Sequence, residues 1–262
     1  VSAVSVGPAA GGPDAEPALE VRGLGVRLGE TWALRDLTLV LPRGRIIGVV
    51  GPNGAGKSTL INVICGQVAP HRGRVLLYGR DITGAPPWRT VAAGVARTFQ
   101  EPRAFADMSA RENVATGVRN GRYRIRGRRA ALALADELLE RVGFASSPHA
   151  LPGWLDFADS RRLELAKALA LRPRVLLLDE VLAGLRAPEV EHGLELLSDL
   201  RTTGMTILYV EHVMKIILAV SDQVLAMDDG RKLMVGTPQE VLADPRSMES
   251  YLGGRHVYPL GG

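Results

Sequence analysis

Gly51-Pro52-Asn53-Gly54-Ala55-Gly56-Lys57-Ser58-Thr59 is the stretch that decides the fold. It fits G-x-x-x-x-G-K-[ST], the pattern of a loop that cradles phosphate. Ile46-Ile-Gly-Val-Val50 before it reads as a buried strand, and Leu60-Ile-Asn-Val-Ile64 after it reads as a helix. Strand, glycine loop and helix in that order aim backbone N–H groups and a helix N-terminus at an anion. Gly51, Gly54 and Gly56 let the backbone wrap phosphate without Cβ clashes. Lys57 supplies a point charge to the β- and γ-phosphates, and the Ser58 hydroxyl suits Mg²⁺. A glycine-rich turn with an exposed lysine is the competing reading, and the flanking strand and helix argue against it.

Around this loop the chain has 262 residues, enough for one large domain or a core with a small subdomain. Hydrophobic residues make up 46%, which suffices for a core. No apolar run approaches the ~18 residues that span a bilayer, so the chain is expected to be soluble and to reach a membrane only through a partner. The opening Val1-Ser-Ala-Val-Ser-Val-Gly-Pro lacks a charged region and a long apolar segment, so no signal peptide is expected. The single cysteine, Cys65, lies in the apolar pattern after the loop and reads as a small buried residue. Net charge is +4. Arg119, Arg122, Arg124, Arg126, Arg128 and Arg129, with Tyr123 among them, carry much of the excess. Contact with nucleic acid or lipid headgroups competes there with a solvated loop, and one aromatic is thin support for base stacking.

Residues 1–17, rich in Ala, Gly and Pro, read as a disordered tail. Short strands open the folded part: Leu19 to Arg22, Leu37 to Leu41, Ile46 to Val50, and Arg74 to Tyr78. They suggest a small antiparallel sheet beside the phosphate site. Helical patterns such as Ala130 to Val142 then dominate and read as an insert, placed at about residues 103–170. Beyond it strands and helices alternate: Arg174 to Leu178, Glu189 to Leu200, and Thr206 to Val210. Thr237-Pro-Gln-Glu240 is a capping box opening a short helix that should stop near Asp244-Pro245. The whole is an α/β fold with a mostly parallel central sheet. The folded domain is expected over 18–254, with 255–262 as a second tail.

Ligands in such a sheet sit at the carboxyl ends of strands. Asp179 ends the Arg174 run and is placed to hold Mg²⁺ through water. Glu180 follows as candidate general base for an attacking water. His212 follows the next strand, on the same edge, near the γ-phosphate. Gln100 closes Val95-Ala-Arg-Thr-Phe-Gln100 and suits Mg²⁺ or the lytic water. These four, with Lys57 and Ser58, form the predicted catalytic and metal set.

The ordered set resembles the ATP-binding subunit of an ABC transporter, over roughly Leu19 to Gly254. Within that superfamily it is most similar to the branched-chain amino-acid type, through Ala96-Arg-Thr-Phe-Gln100, Arg161-Arg-Leu-Glu-Leu-Ala-Lys167, Ala183-Gly-Leu185, Val210-Glu-His212 with Met214-Lys215, Gly236-Thr-Pro-Gln-Glu-Val241, and Tyr251-Leu-Gly253. The resemblance implies ATP and Mg²⁺ as cofactors. It also implies two subunits stacked head-to-tail, each ATP lying on one chain's phosphate loop and under the other's signature segment, and transmembrane permease subunits as partners at the cytoplasmic face.

The sequence departs from the family where that sandwich closes. The signature, normally Leu-Ser-Gly-Gly-Gln or Leu-Ser-Tyr-Gly-Gln, reads Leu155-Asp156-Phe157-Ala158-Asp159. Asp156 replaces a small hydroxyl residue, Ala158 replaces a glycine that phosphate passes closely, and Asp159 suits the cap of a helix from Ser160 to Leu171. Val181 replaces a proline and Arg186 an Asn or Asp. Leu28 stands where an aromatic usually stacks on adenine. Nearby Trp32 can take that role or pack in the core. The expected function is an ATP-hydrolysing importer subunit in an asymmetric heterodimer. A regulatory subunit that binds ATP without hydrolysis, and a soluble ATPase acting on nucleic acid, are the alternatives; nucleic acid is not the expected partner.

Overall fold

The computed structural model describes residues 16–101 and 103–253. Most of the predicted N-terminal tail and all of the C-terminal one lie outside the described residues.

In chain order the elements are β1 (Leu19–Leu28), β2 (Thr31–Leu41), β3 (Ile46–Val50), α1 (Lys57–Ile64), β4 (Arg72–Leu77), β5 (Arg80–Asp81), α2 (Pro87–Ala93) and β6 (Val95–Arg97). Helices α3 (Ala110–Asn120), α4 (Arg128–Arg141) and α5 (Phe157–Ala170) follow, with a 3-10 turn at Pro152–Trp154. Then come β7 (Val175–Asp179), α6 (Ala187–Thr202), β8 (Thr206–Val210), α7 (Met214–Val220), β9 (Gln223–Asp228), β10 (Arg231–Gly236), α8 (Pro238–Ala243) and α9 (Pro245–Gly253).

The strands form two sheets. One is four-stranded and antiparallel, in the order β2-β1-β4-β5. The other runs β10-β9-β3-β8-β7-β6 and is parallel except for the β9–β10 hairpin at its edge. Every residue of β3, β7 and β8 is buried, as continuous apolar runs in a sheet covered on both faces require. Their side chains alternate between two cores. Ile47, Val49, Leu177 and Leu208 pack with α1 and the small sheet. Ile46, Val50, Leu178 and Tyr209 pack with α3 to α6 on the other face. Parallel register pairs Val49 with Val210 and Asp179 with Val210, so β3, β7 and β8 end at one edge.

Several local readings change. Strand β2 begins at Thr31 rather than Leu37, and Ile46–Val50 joins the parallel sheet rather than the small antiparallel one. Strand β1 continues past Arg22 to Leu28, with its pairing register shifting between Val21 and Val26 around Gly23 and Gly25. The stop at Asp244-Pro245 ends α8, but the chain re-enters a helix at once, because proline suits a first turn that needs no N–H donor. Helix α5 begins at Phe157, and its N-cap is Asp156, which accepts the Asp159 N–H at 2.7 Å. Asp159 therefore lies in the first turn and does not cap. The capping box at Thr237 and Glu240 forms as read.

Candidate functional site

The phosphate loop joins β3 to α1 with its backbone pressed against two neighbours. A Cβ on Gly51 would lie 2.2 Å from the Met227 carbonyl oxygen, and one on Gly56 2.5 Å from that of Ala33. Both have positive φ, 151° and 97°, so only glycine meets the space and the dihedral together. Helix α1 carries no side-chain cap and no acidic residue in its first turn. Its first N–H groups, which a helix cannot satisfy internally, stay available to an anion. Lys57 is buried and donates from Nζ to the carbonyls of Gly51 (2.6 Å) and Pro52 (2.9 Å). Burial lowers its pKa, while Glu180 and Asp179 nearby act in the opposite sense. Asn53, Gly54 and Ser58 are exposed along the loop, Thr59 is half-buried, and Ala55 packs inward.

Asp179 ends β7 and is 4% exposed. Its N–H donates to Thr98 Oγ1 (3.2 Å), and Arg97 approaches its Oδ2 at 3.5 Å. Burial pushes the Asp179 carboxyl up; Arg97 pulls it back. Glu180 has φ 54°, in the left-handed region, and its N–H is fixed to the Val210 carbonyl at 2.9 Å. Strain of this kind is sustained where surrounding structure over-determines it. Gln100 Nε2 donates to Glu180 Oε2 at 3.0 Å, and His212 Nε2 engages Oε1. Three residues read from distant segments thus meet at one carboxylate. Arg161 of α5 binds the carbonyls of Phe99 and Gln100, tying the helical layer to this loop.

Arg97, Glu211 and Tyr251, which the sequence offers only within segments that carry the family resemblance, also join this site. Arg97 also holds Asn62 Oδ1 (2.6 Å) and Gln67 Oε1 (3.0 Å). A charged residue ending a three-residue strand was the available signal. Glu211 is buried and accepts the N–H groups of His212 (2.8 Å) and Val213 (3.2 Å) and the Tyr209 hydroxyl (3.0 Å).

At the signature, Ala158 is buried and Phe157 is half-exposed under the Arg161 guanidinium, 5.0 Å from its ring centre. Asp159 is 1% exposed and accepts from the N–H groups of Ala145 (3.0 Å) and Ser146 (2.6 Å) and from Arg162 (2.9 Å). Burial pushes its carboxyl up, but these bonds together outweigh that and hold it below the usual range. Arg186 pairs with Glu189 at 2.6 Å and also feels the charge of Asp156. Trp32 is half-buried, with Arg72 and Arg27 at 5.0 and 5.8 Å from its ring and His71 edge-on. It is a surface aromatic rather than a core one, one residue before the Ala33 carbonyl that backs Gly56.

No group of three or more His, Cys, Asp or Glu among the described residues is arranged to hold a metal alone. Ser58, Asp179 and Gln100 offer one hydroxyl, one carboxylate and one amide. Oxygen donors of this kind fit the chemistry of Mg²⁺, a hard cation.

The family model described as ABC transporter matches residues 34–183. The chain belongs to the ABC transporter family. Its cassettes are transport ATPases that bind ATP and ADP. The high-affinity branched-chain amino acid transport ATP-binding protein BraF of Pseudomonas aeruginosa is 34% identical over 250 residues, covering 90% of this chain and 98% of that protein. LivG of Escherichia coli K12, named for the same transport, is 35% identical over 251 residues, 91% of this chain and 98% of that one. The ribose import ATP-binding protein RbsA 1 of Rhizobium etli is 36% identical over 248 residues, 93% of this cassette but 48% of that protein. A solved ATP-binding cassette of an ABC transporter superposes with TM-score 0.81 at 28% identity, over 90% of this chain and 98% of that one. A structure of an ADP conformation gives 0.79 at 27%, over 90% and 99%. No helix among the described residues is long and apolar enough to cross a membrane.

Proposed function

We propose that this cassette powers an importer of branched-chain amino acids or a similar small polar solute. It works at the cytoplasmic face of the membrane with permease subunits and a second cassette. The observation that carries the reading is 34–35% identity to BraF and LivG over nine-tenths of the chain. Similarity to the ribose import protein keeps the solute class broad.

In this reading Gly51 to Thr59 bind the triphosphate of ATP, and Trp32 takes the adenine. Ser58, Asp179 and Gln100 hold Mg²⁺, which supplies charge neutralisation at the phosphates. Glu180 takes the proton of the attacking water, with Gln100 and His212 orienting its two oxygens. The helical part, about 103–170, and the loop after Gln100 face the permease.

The signature supports an asymmetric pair. Asp156 puts a carboxylate at the N-terminus of α5, where the family places a hydroxyl. A unit charge about 4 Å from a phosphate charge costs on the order of 4 kcal/mol at an effective dielectric near 20. A partner with a complete signature leaves one good site, on this chain's phosphate loop. The other site binds ATP and turns it over slowly.

The test is ATP turnover of the chain reconstituted with its permease, with solutes delivered by the extracytoplasmic binding protein. Leucine, isoleucine or valine is expected to stimulate turnover. Stimulation by a sugar alone overturns the solute class.

A further inference from the structure

His212 lies two residues beyond the end of β8, outside the sheet ladder, so strand register does not fix it. The two peptide groups on either side of its Cα are held by side chains instead. The buried Glu211 carboxylate takes the His212 and Val213 N–H groups. The Tyr251 hydroxyl donates to the His212 carbonyl at 2.5 Å. Glu211 is a sequence neighbour and reports only on the end of β8. Tyr251 comes from α9, 39 positions further on. That helix is anchored independently: Asp244 Oδ2 accepts the Ser247 N–H (2.9 Å) and hydroxyl (2.7 Å) at its start, and its body packs on β9 and β10.

We propose that Tyr251 is a positioning residue for His212, through which α9 sets the imidazole on Glu180. The proposal rests on the roles given above to His212 and Glu180. The His212 imidazole is 38% exposed, so little packing holds it, and the position of its backbone decides where Nε2 falls. A hydrogen bond is directional over a few tenths of an ångström, and displacement of an orienting group by about 1 Å costs up to roughly a hundredfold in rate. Loss of one of the three hydrogen bonds on the two peptide groups that flank the His212 Cα is a smaller change, expected at about three- to tenfold.

The experiment compares the parent with Tyr251→Phe, His212→Ala and the double variant, each assembled with the partner cassette. Tyr251→Phe deletes the hydroxyl and keeps the ring. Amide hydrogen exchange across Glu211 to Met214 is expected to rise about tenfold, with β8 and α6 unchanged. Turnover at saturating ATP is expected to fall three- to tenfold while KM for ATP stays constant. In the His212→Ala background the second substitution is expected to have no further effect. Unchanged exchange in Tyr251→Phe overturns the clamp. Faster exchange with full turnover overturns positioning. A rise in KM, or an equal loss in the His212→Ala background, assigns Tyr251 a structural role and overturns it too. Full turnover in His212→Ala sinks the role of His212 itself, and the exchange result still decides whether the clamp exists.

Discussion

Gln100 and Glu180 lie 80 positions apart and are joined at 3.0 Å, side-chain amide to carboxylate. The bond ties the loop after β6 to the residue that follows β7, while His212 takes the other carboxylate oxygen. In its proposed role as general base, Glu180 would be oriented before substrate arrives, as that role asks. Glu180→Gln keeps the shape and the capacity to meet Gln100 but cannot accept a proton. Turnover is expected to fall about a hundredfold or more, with ATP affinity within a few-fold of the parent. Equal turnover in parent and variant would remove Glu180 from the mechanism. A purely regulatory ATP-binding subunit would behave that way.

The signature makes a second, separable prediction. Asp156 caps α5, so its carboxylate is directed at helix N–H groups and offers phosphate a negative charge. Serine also caps well, so Asp156→Ser keeps the helix start, and Ala158→Gly opens the backbone beside it. The double variant is expected to raise turnover of the chain paired with itself by at least about tenfold, as relief of part of a roughly 4 kcal/mol repulsion requires. Steady-state ATP hydrolysis checks it, with thermal unfolding as control for the glycine. No rise would mean that Asp156 and Ala158 are tolerated and that the asymmetric pair is wrong.

The sequence was most readable where one signal acted alone. Ile46–Val50 and Thr206–Val210 are found with the bounds read, because continuous apolar runs between turn residues leave no choice of register. The glycine loop and the acids at the end of β7 are legible because order along the chain implies one sheet edge. The start of α5 was misread because Asp156 and Asp159 are both good caps three residues apart, and only the tertiary bonds to Ala145, Ser146 and Arg162 claim the second. The β9–β10 hairpin turns at Asp229-Gly230, both with positive φ, a turn signal carried by the sequence itself. Arg97, Glu211 and Tyr251 stand in segments that carry the family resemblance, but their contacts are not legible there: Arg97 meets Asp179 and Tyr251 meets His212 only once the chain folds, and Glu211 gives no signal beyond its place next to His212.

Cys65 gives a probe of local opening. Burial pushes its thiol up to about 12, with Arg97 acting in the opposite sense. An ordinary thiol titrates near 8.5, so at pH 8 the thiolate fraction here is roughly a thousandfold lower. Labelling by a maleimide at pH 8 is expected to be slower than that of a free thiol by about that factor, and to accelerate only across the urea unfolding transition. Rapid labelling of the native chain would show that the segment after α1 opens readily.

Asp159 carries the pH prediction. Its folded-state pKa is held below the ordinary value by the Ala145, Ser146 and Arg162 bonds, against the push of burial. For a carboxyl shifted this way, the stabilisation is complete above the unfolded-state pKa of about 3.9 and is lost as pH falls through the folded-state value. Asp159→Asn keeps one acceptor oxygen but leaves the half-buried Arg162 facing a neutral amide. The variant is expected to be less stable at pH 7 by about 1–3 kcal/mol. The gap should narrow as pH drops below about 4, because the parent loses the charge that the variant never had. Equilibrium urea unfolding at pH 7 and at pH 3 measures both ends. A gap of the same size at both would mean that the carboxylate's charge contributes nothing and that packing alone accounts for the site.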